Sequence, residues 1–172
     1  MNTTEIGREF EQAVGRLYEA DGFEVSYNQL LQGRSGATYE IDILGVKKVS
    51  NENRKGFFKI LKPKTKTLTL AVECKFKESG YVDHEEVSVF LNKLDDIRIE
   101  IGAMATNRDF TENAYKITSY RKIDTLNGKR LNELFKGRNI SYYCQRHHLE
   151  VDGPIADAVR LTFGLLDKIG IF

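Results

Sequence analysis

The sequence predicts an α/β protein in which a mixed central sheet is flanked by helices, and three observations predict it. An amphipathic helical period opens the chain, three strand-like runs follow with no helix between them, and strand and helix then alternate. Strands met in direct succession pair as an antiparallel meander, whereas strands joined through helices run parallel and place those helices on the sheet faces. At 172 residues the chain is expected to form one domain over residues 1–172, with a core that needs neither disulfides nor metals.

Ile6, Phe10, Ala13, Val14 and Leu17 recur at helical spacing, so residues 4–21 read as a helix with caps at Asn2 to Thr4 and a stop at Gly22. Glu9, Glu11 and Glu19 have the character of a solvated helix face, but Glu11 follows the core-facing Phe10 and borders the buried stripe. Phe23 to Leu31 alternates as a strand, and Gln32-Gly-Arg-Ser-Gly36 is a loop. Thr38 to Gly45 forms the second strand, with Glu40 and Asp42 expected on one face and Ile41 and Ile43 on the other. The insertion at about 46–67 has no helical period and reads as an extended basic hairpin. Thr67 to Phe76 is the third strand, sending Leu68, Leu70, Val72 and Cys74 to one face and Thr69, Ala71, Glu73 and Lys75 to the other.

After Gly80, Asp83 and Glu86 make a helix-start signal ahead of Val87, Phe90, Leu91, Leu94 and Ile97. Ile99 to Thr106 is a short apolar run of the kind covered on both faces. A helix over Thr111 to Tyr120, a strand over Lys122 to Leu126 and a capped helix over Asn127 to Lys136 follow, the last stopped by Gly137 and turning Leu131, Leu134 and Phe135 inward. Residues 140–151 look strand-like, and a final helix runs from about Pro154 to Lys168. The expected organisation is thus a core of about 4–136, the basic insertion, and an addition of about 138–172 that ends in that helix.

Hydrophobic residues make up 41% and charged residues 30% of the chain, and no apolar run approaches a membrane span or a signal-peptide core, so a cytoplasmic protein without membrane contact is expected. Cys74 and Cys144 lack zinc-ligand spacing and read as reduced thiols. A net charge of +1 is low for a nucleic-acid binder, but its distribution is uneven. Residues 1–45 carry eight acids against three Lys/Arg, whereas residues 46–70 carry one acid against eight. Those eight are Lys47, Lys48, Arg54, Lys55, Lys59, Lys62, Lys64 and Lys66, and together with Phe57, Phe58, Ile60 and Leu61 they form a candidate surface for a phosphate backbone. A solvated hairpin with a small apolar patch has the same pattern.

Glu73-Cys-Lys75 is the only acid-x-Lys triplet in the chain. On a strand it projects a carboxylate and an ammonium from one face, and pairing with the preceding strand would bring Asp42 to both. Hydrolysis of a phosphodiester requires charge neutralisation, an activated water and a stabilised leaving oxygen, much of which a hard cation supplies through oxygen ligands. Asp42, Glu73 and the backbone carbonyl of Cys74 are candidate ligands for Mg2+, or for Mn2+ in its place, and Glu11 is an auxiliary ligand or water holder. Lys75 is expected to hold the water or to stabilise phosphate charge, and an ammonium beside a metal can also have a lowered pKa. An ordinary Glu–Lys pair decorating a strand end is the alternative.

With these residues in place, the chain resembles the restriction-endonuclease-like PD-(D/E)xK superfamily, most closely its Mrr-like and archaeal Holliday-junction-resolvase-like members. The resemblance runs through Gly7-Arg-Glu-Phe-Glu11, Asp21-Gly-Phe23, Tyr39-Glu-Ile-Asp-Ile-Leu44, Val72-Glu-Cys-Lys75, Gly102-Ala-Met-Ala-Thr-Asn107, Phe110-Thr-Glu-Asn-Ala114 and Ile123-Asp-Thr-Leu126, and covers roughly residues 5–136. It implies an αβββαβ core, a catalytic triad of Asp42, Glu73 and Lys75, and a match of Glu11 to the acid on the first helix of these branches. It also implies a metal-dependent endonuclease acting on DNA. Ile41 stands where the superfamily name has Pro, and both the basic insertion and the segment after residue 137 lie outside the pattern. No segment reads as a separate recognition module, so cleavage guided by DNA structure or a partner is expected over modular restriction. Symmetric cutting of two strands calls for a homodimer. A non-catalytic nucleic-acid-binding module of the same fold and a nuclease acting on RNA are the competing classes.

Overall fold

A computed structural model describes residues 3–50 and 65–140 of the chain. Its elements are α1 (Thr3–Ala20), β1 (Glu24–Gln32), β2 (Thr38–Ser50), β3 (Thr65–Lys75), α2 (His84–Ile97), β4 (Ile101–Thr106), α3 (Glu112–Arg121), β5 (Asp124–Leu126) and α4 (Gly128–Gly137). The five strands form one sheet in the order β1-β2-β3-β4-β5. β1, β2 and β3 are antiparallel neighbours, and β4 and β5 add in parallel. The meander and crossover halves therefore meet at β3, as the order of elements requires. The expected strand at 140–151 and the final helix lie outside the described residues. No helix among the described residues is long and apolar enough to cross a membrane.

Each face of the sheet carries a core. Phe10, Val14 and Leu17 of α1 pack with Leu131 and Phe135 of α4 over Leu68, Leu70, Val72, Ala103 and Ala105. On the other face Val87, Phe90, Leu91 and Leu94 of α2 and Ala114 of α3 pack over Ala71 and Met104. β4 is covered on both sides, which explains its unbroken apolar run. Gly102 is required there, because a Cβ at that position would stand 2.5 Å from Leu94 Cδ1 and 2.9 Å from Ile123 Cδ1. α2 begins as its sequence predicts: the Asp83 side chain accepts from the backbone N–H groups of Glu85 and Glu86, and Glu86 accepts in return from the Asp83 N–H.

β2 runs past its expected end at Gly45 to Ser50, pairing Lys48 with Thr67 and Ser50 with Thr65. The base of the expected hairpin is therefore a regular ladder, while Arg54, Lys55, Lys59, Lys62 and Lys64 lie outside the described residues. One pattern departs from expectation. Ile43 belongs to the core under α1, whereas Ile41 belongs to the core under α2, so the two do not share a face. The irregularity sits at Asp42, opposite Asn28, which takes a left-handed backbone with φ 51°. Asn is one of the few side-chain-bearing residues that tolerate that region, and its placement within a strand lets the pleat change phase.

Candidate active site

The ladder between β2 and β3 stops at Ile43–Val72. Before that point in the chain, β2 pairs with β1 alone through Ile41–Gln29 to Thr38–Gln32. Beyond Val72, β3 pairs with β4 through Glu73–Met104, Cys74–Ala105 and Lys75–Thr106. The two strands thus form a fork, and the residues singled out in the sequence line it. The Asp42 carboxylate occupies the gap and accepts the backbone N–H of Cys74 at 2.7 Å, a donor that continued pairing would otherwise have engaged.

Glu73 is 5% exposed, a low value for a carboxylate, and it is fully countered. Lys75 Nζ lies 2.8 Å from Glu73 Oε1, as the shared strand face predicts. From α2, Lys93 Nζ donates to Glu73 Oε2 at 3.0 Å and Oε1 at 3.2 Å, and to the backbone carbonyl of Glu40 at 3.3 Å. Sequence reading missed Lys93. The signal was the one that drew notice to Glu11: Lys93 lies three residues after Phe90 and borders the buried stripe of its helix.

Glu11 approaches from α1. Phe10, its neighbour in sequence, meets the ring of Phe76 edge-on at 5.9 Å, so an aromatic contact fixes α1 against the residue following Lys75. The Asn28 side chain favours the charged form of Glu11, a second partner not anticipated from sequence. An Asn in a strand-like run was the available hint, since Asn is depleted in strands.

The electrostatics are those of crowded carboxylates. Burial pushes the Glu11 carboxyl above its usual pKa, and the charges of Asp42 and Glu40 push it further, against the opposing effect of the Asn28 side chain. Burial and then Glu73 raise Asp42 likewise, against the Cys74 N–H, Lys75 and Lys93. For Lys75, burial pulls the pKa down, but the bond and charge of Glu73 and the charge of Asp42 outweigh it, leaving it raised. The carboxylates around it thus favour the ammonium form of Lys75. Burial also pushes the Cys74 thiol well up, which disfavours its thiolate.

Glu11, Asp42 and Glu73 carry three negative charges against two ammonium groups. The donor set is all oxygen, which suits a hard divalent cation, and the excess negative charge is what such a cation relieves. Among the described residues no three acidic, His or Cys side chains enclose a point on their own. A cation in the fork would therefore use two carboxylates with backbone carbonyl and water, the habit of Mg2+.

The loop leaving the site is pinned. The amide of Asn107, 5% exposed, accepts from Lys77 N–H at 2.7 Å and donates to its carbonyl at 2.9 Å, and Arg108 reaches the Glu78 carbonyl. Of the proposed DNA-contacting residues, Lys47 donates to the Asp21 carbonyl at 2.5 Å and stands 5.4 Å from the centre of the Phe23 ring. Its ammonium is engaged within the protein. Lys48 and Lys66 are exposed on the ladder.

A mixed sheet of this order, with an acid at the fork and a Glu-x-Lys strand end, defines the restriction-endonuclease-like nuclease class. The restriction endonuclease family model, for the Mrr-type catalytic region, matches residues 4–135, and the chain belongs to that family. Among solved structures, a protein of unknown function, AF1548, superposes with a TM-score of 0.60 at 22% identity, covering 84% of this chain and 72% of that one. The DNA modification-dependent restriction endonuclease AspBHI superposes with a TM-score of 0.55 at 16% identity over 78% of this chain. This chain spans 34% of AspBHI's length. These likenesses show the fold. No curated protein sequence matches the chain significantly.

Proposed function

We propose that the protein is a metal-dependent endonuclease that hydrolyses phosphodiester bonds of DNA in the fork between β2 and β3. The observation that carries the reading is the convergence of Asp42, Glu73 and Lys75 at the point where the strands part, with Glu73 buried and held by two lysines. A bound Mg2+ or Mn2+ would neutralise phosphate charge, acidify a water and stabilise the leaving oxygen. Asp42 and Glu73 are its proposed ligands, joined by the Cys74 carbonyl and, directly or through water, by Glu11. Lys75 is the less buried of the two lysines, and the one oxygen it engages leaves N–H groups for the attacking water or the phosphate. Its raised pKa keeps it protonated for that task. Lys48 and Lys66, with the basic residues of 51–64, are proposed to hold the DNA backbone, and a homodimer is proposed for cutting both strands.

The test is nicking of supercoiled plasmid with Mg2+, run beside Asp42→Ala and Lys75→Ala. Each substitution is expected to lower the rate by roughly 10²-fold or more. Wild-type rates in both variants would sink the assignment, and a wild type that cleaves no duplex, junction or flap DNA would favour a binding module.

A further inference from the structure

We propose that Lys93 is a further working residue of this site, a positioning residue that braces the fork and shares the charge of Glu73 with the bound cation. The inference rests on the nuclease reading above and extends it to a residue on α2.

An ammonium group has three N–H donors. Those of Lys93 meet three acceptors within 3.3 Å: both Glu73 oxygens on the β3 arm and the Glu40 carbonyl on the β2 arm. The backbone ladder between the two arms ends at Ile43–Val72, where the Asp42 carboxylate reaches the Cys74 N–H, and this side chain adds a second bridge across the gap their separation leaves. With its donors matched, Lys93 has none to offer a substrate, which sets it apart from Lys75. Its support is rigid, since the capping box begins its helix and Phe90, Leu91 and Leu94 around it are buried. The Lys93 side chain is 19% exposed, against 66% for Lys116 in its pair with Glu112 on the surface of α3. A decorative surface pair has the second character and contributes little.

Two consequences of opposite sign follow. Lys93 competes electrostatically with any cation that uses Glu73, so removing its charge tightens cation binding. It also fixes the rotamer of Glu73 and the spacing of the two arms, so removing it slows the chemistry. A residue needed only for folding would weaken both, and a bystander would move neither.

The experiment is calorimetric titration of the full chain with Mn2+, together with steady-state plasmid cleavage, for wild type, Lys93→Met and Lys93→Arg. In Lys93→Met, Mn2+ affinity is expected to rise about tenfold, and kcat to fall roughly 10–100-fold with KM for DNA within about twofold. Lys93→Arg keeps the charge but not the three-point geometry, so its Mn2+ affinity stays near wild type while kcat falls. Unchanged or weaker Mn2+ binding in Lys93→Met, an unchanged kcat, or a loss confined to KM would overturn the inference. Failure of both Lys93→Met and Lys93→Gln to fold would overturn it too, by assigning the residue to folding. If the wild type binds Mn2+ but cuts no DNA, the nuclease reading falls while the change in affinity still decides Lys93.

Discussion

Asp42→Asn is expected to make the protein more stable and almost inactive. The amide is nearly isosteric with the carboxylate, and its oxygen can still accept the Cys74 N–H now bound at 2.7 Å, so the fork keeps its shape. What is lost is a charge that the fold disfavours. Burial and Glu73 raise the Asp42 pKa despite Lys75 and Lys93, so the folded chain holds a proton there more tightly than the unfolded chain does. The sign then follows: the penalty sets in as pH rises from the ordinary carboxylate range and is complete once pH has passed the raised value. Removing a charge of this kind from a functional site commonly yields about 0.5–2 kcal/mol. For a chain of this length 1 kcal/mol corresponds to a rise in Tm of roughly 2–4 °C. Loss of a carboxylate proposed as a metal ligand is expected to cost about 10³-fold in cleavage, equivalent to about 4 kcal/mol of transition-state stabilisation. The assays are thermal melts in EDTA at pH 7 and plasmid nicking in Mg2+. A variant that melts below wild type in EDTA would falsify the claim that the fork carries uncompensated negative charge, and a variant that nicks at the wild-type rate would remove Asp42 from the chemistry.

Two further predictions draw on the same cluster. Because Glu11 and Asp42 both have raised pKa values, protons compete with a cation at a higher pH than for ordinary carboxylates. Mn2+ affinity should therefore fall as pH drops from about 7 to about 5, a range where unperturbed Asp and Glu stay ionised, and a flat calorimetric profile over that range would contradict it. Asn28→Gly keeps the left-handed backbone at φ 51° but removes the side chain that favours the charged form of Glu11. Its urea midpoint should move by no more than about 0.5 kcal/mol equivalent, while cleavage should drop about 3–10-fold if Glu11 needs that side chain to hold its place. Unaltered cleavage would make Asn28 a backbone device only.

Much of this architecture is written locally. The periodicity of α1, the Asp83–Glu86 start of α2 and the double-sided burial of β4 depend on neighbours within a few positions, so pattern alone reveals them. The meeting of Asp42 with the Glu73–Lys75 strand was also accessible, because the adjacency of two successive strands suffices to predict it. The misses depend on distant partners. Lys93 is one more polar residue at the edge of a helix until the fold sets it against a strand 20 residues away in the chain. Ile41 and Ile43 obey strict alternation until Asn28, across the sheet, breaks the phase. Lys47 reads as a free basic residue until the Asp21 carbonyl and the Phe23 ring claim it.

The hairpin of β2 and β3 opens at one end into the fork and leads at the other into residues 51–64. Its ladder runs from Ile43–Val72 to Ser50–Thr65, a span of about 23 Å at the usual rise per residue. The chemistry and the insertion are thus attached to opposite ends of one stiff rod. Lengthening, trimming or replacing the insertion would leave the carboxylates and lysines where they are, since the intervening rungs absorb the change. Such a layout places seven steps of paired strand between residues 51–64 and the fork, so a change of length at one end need not reach the other.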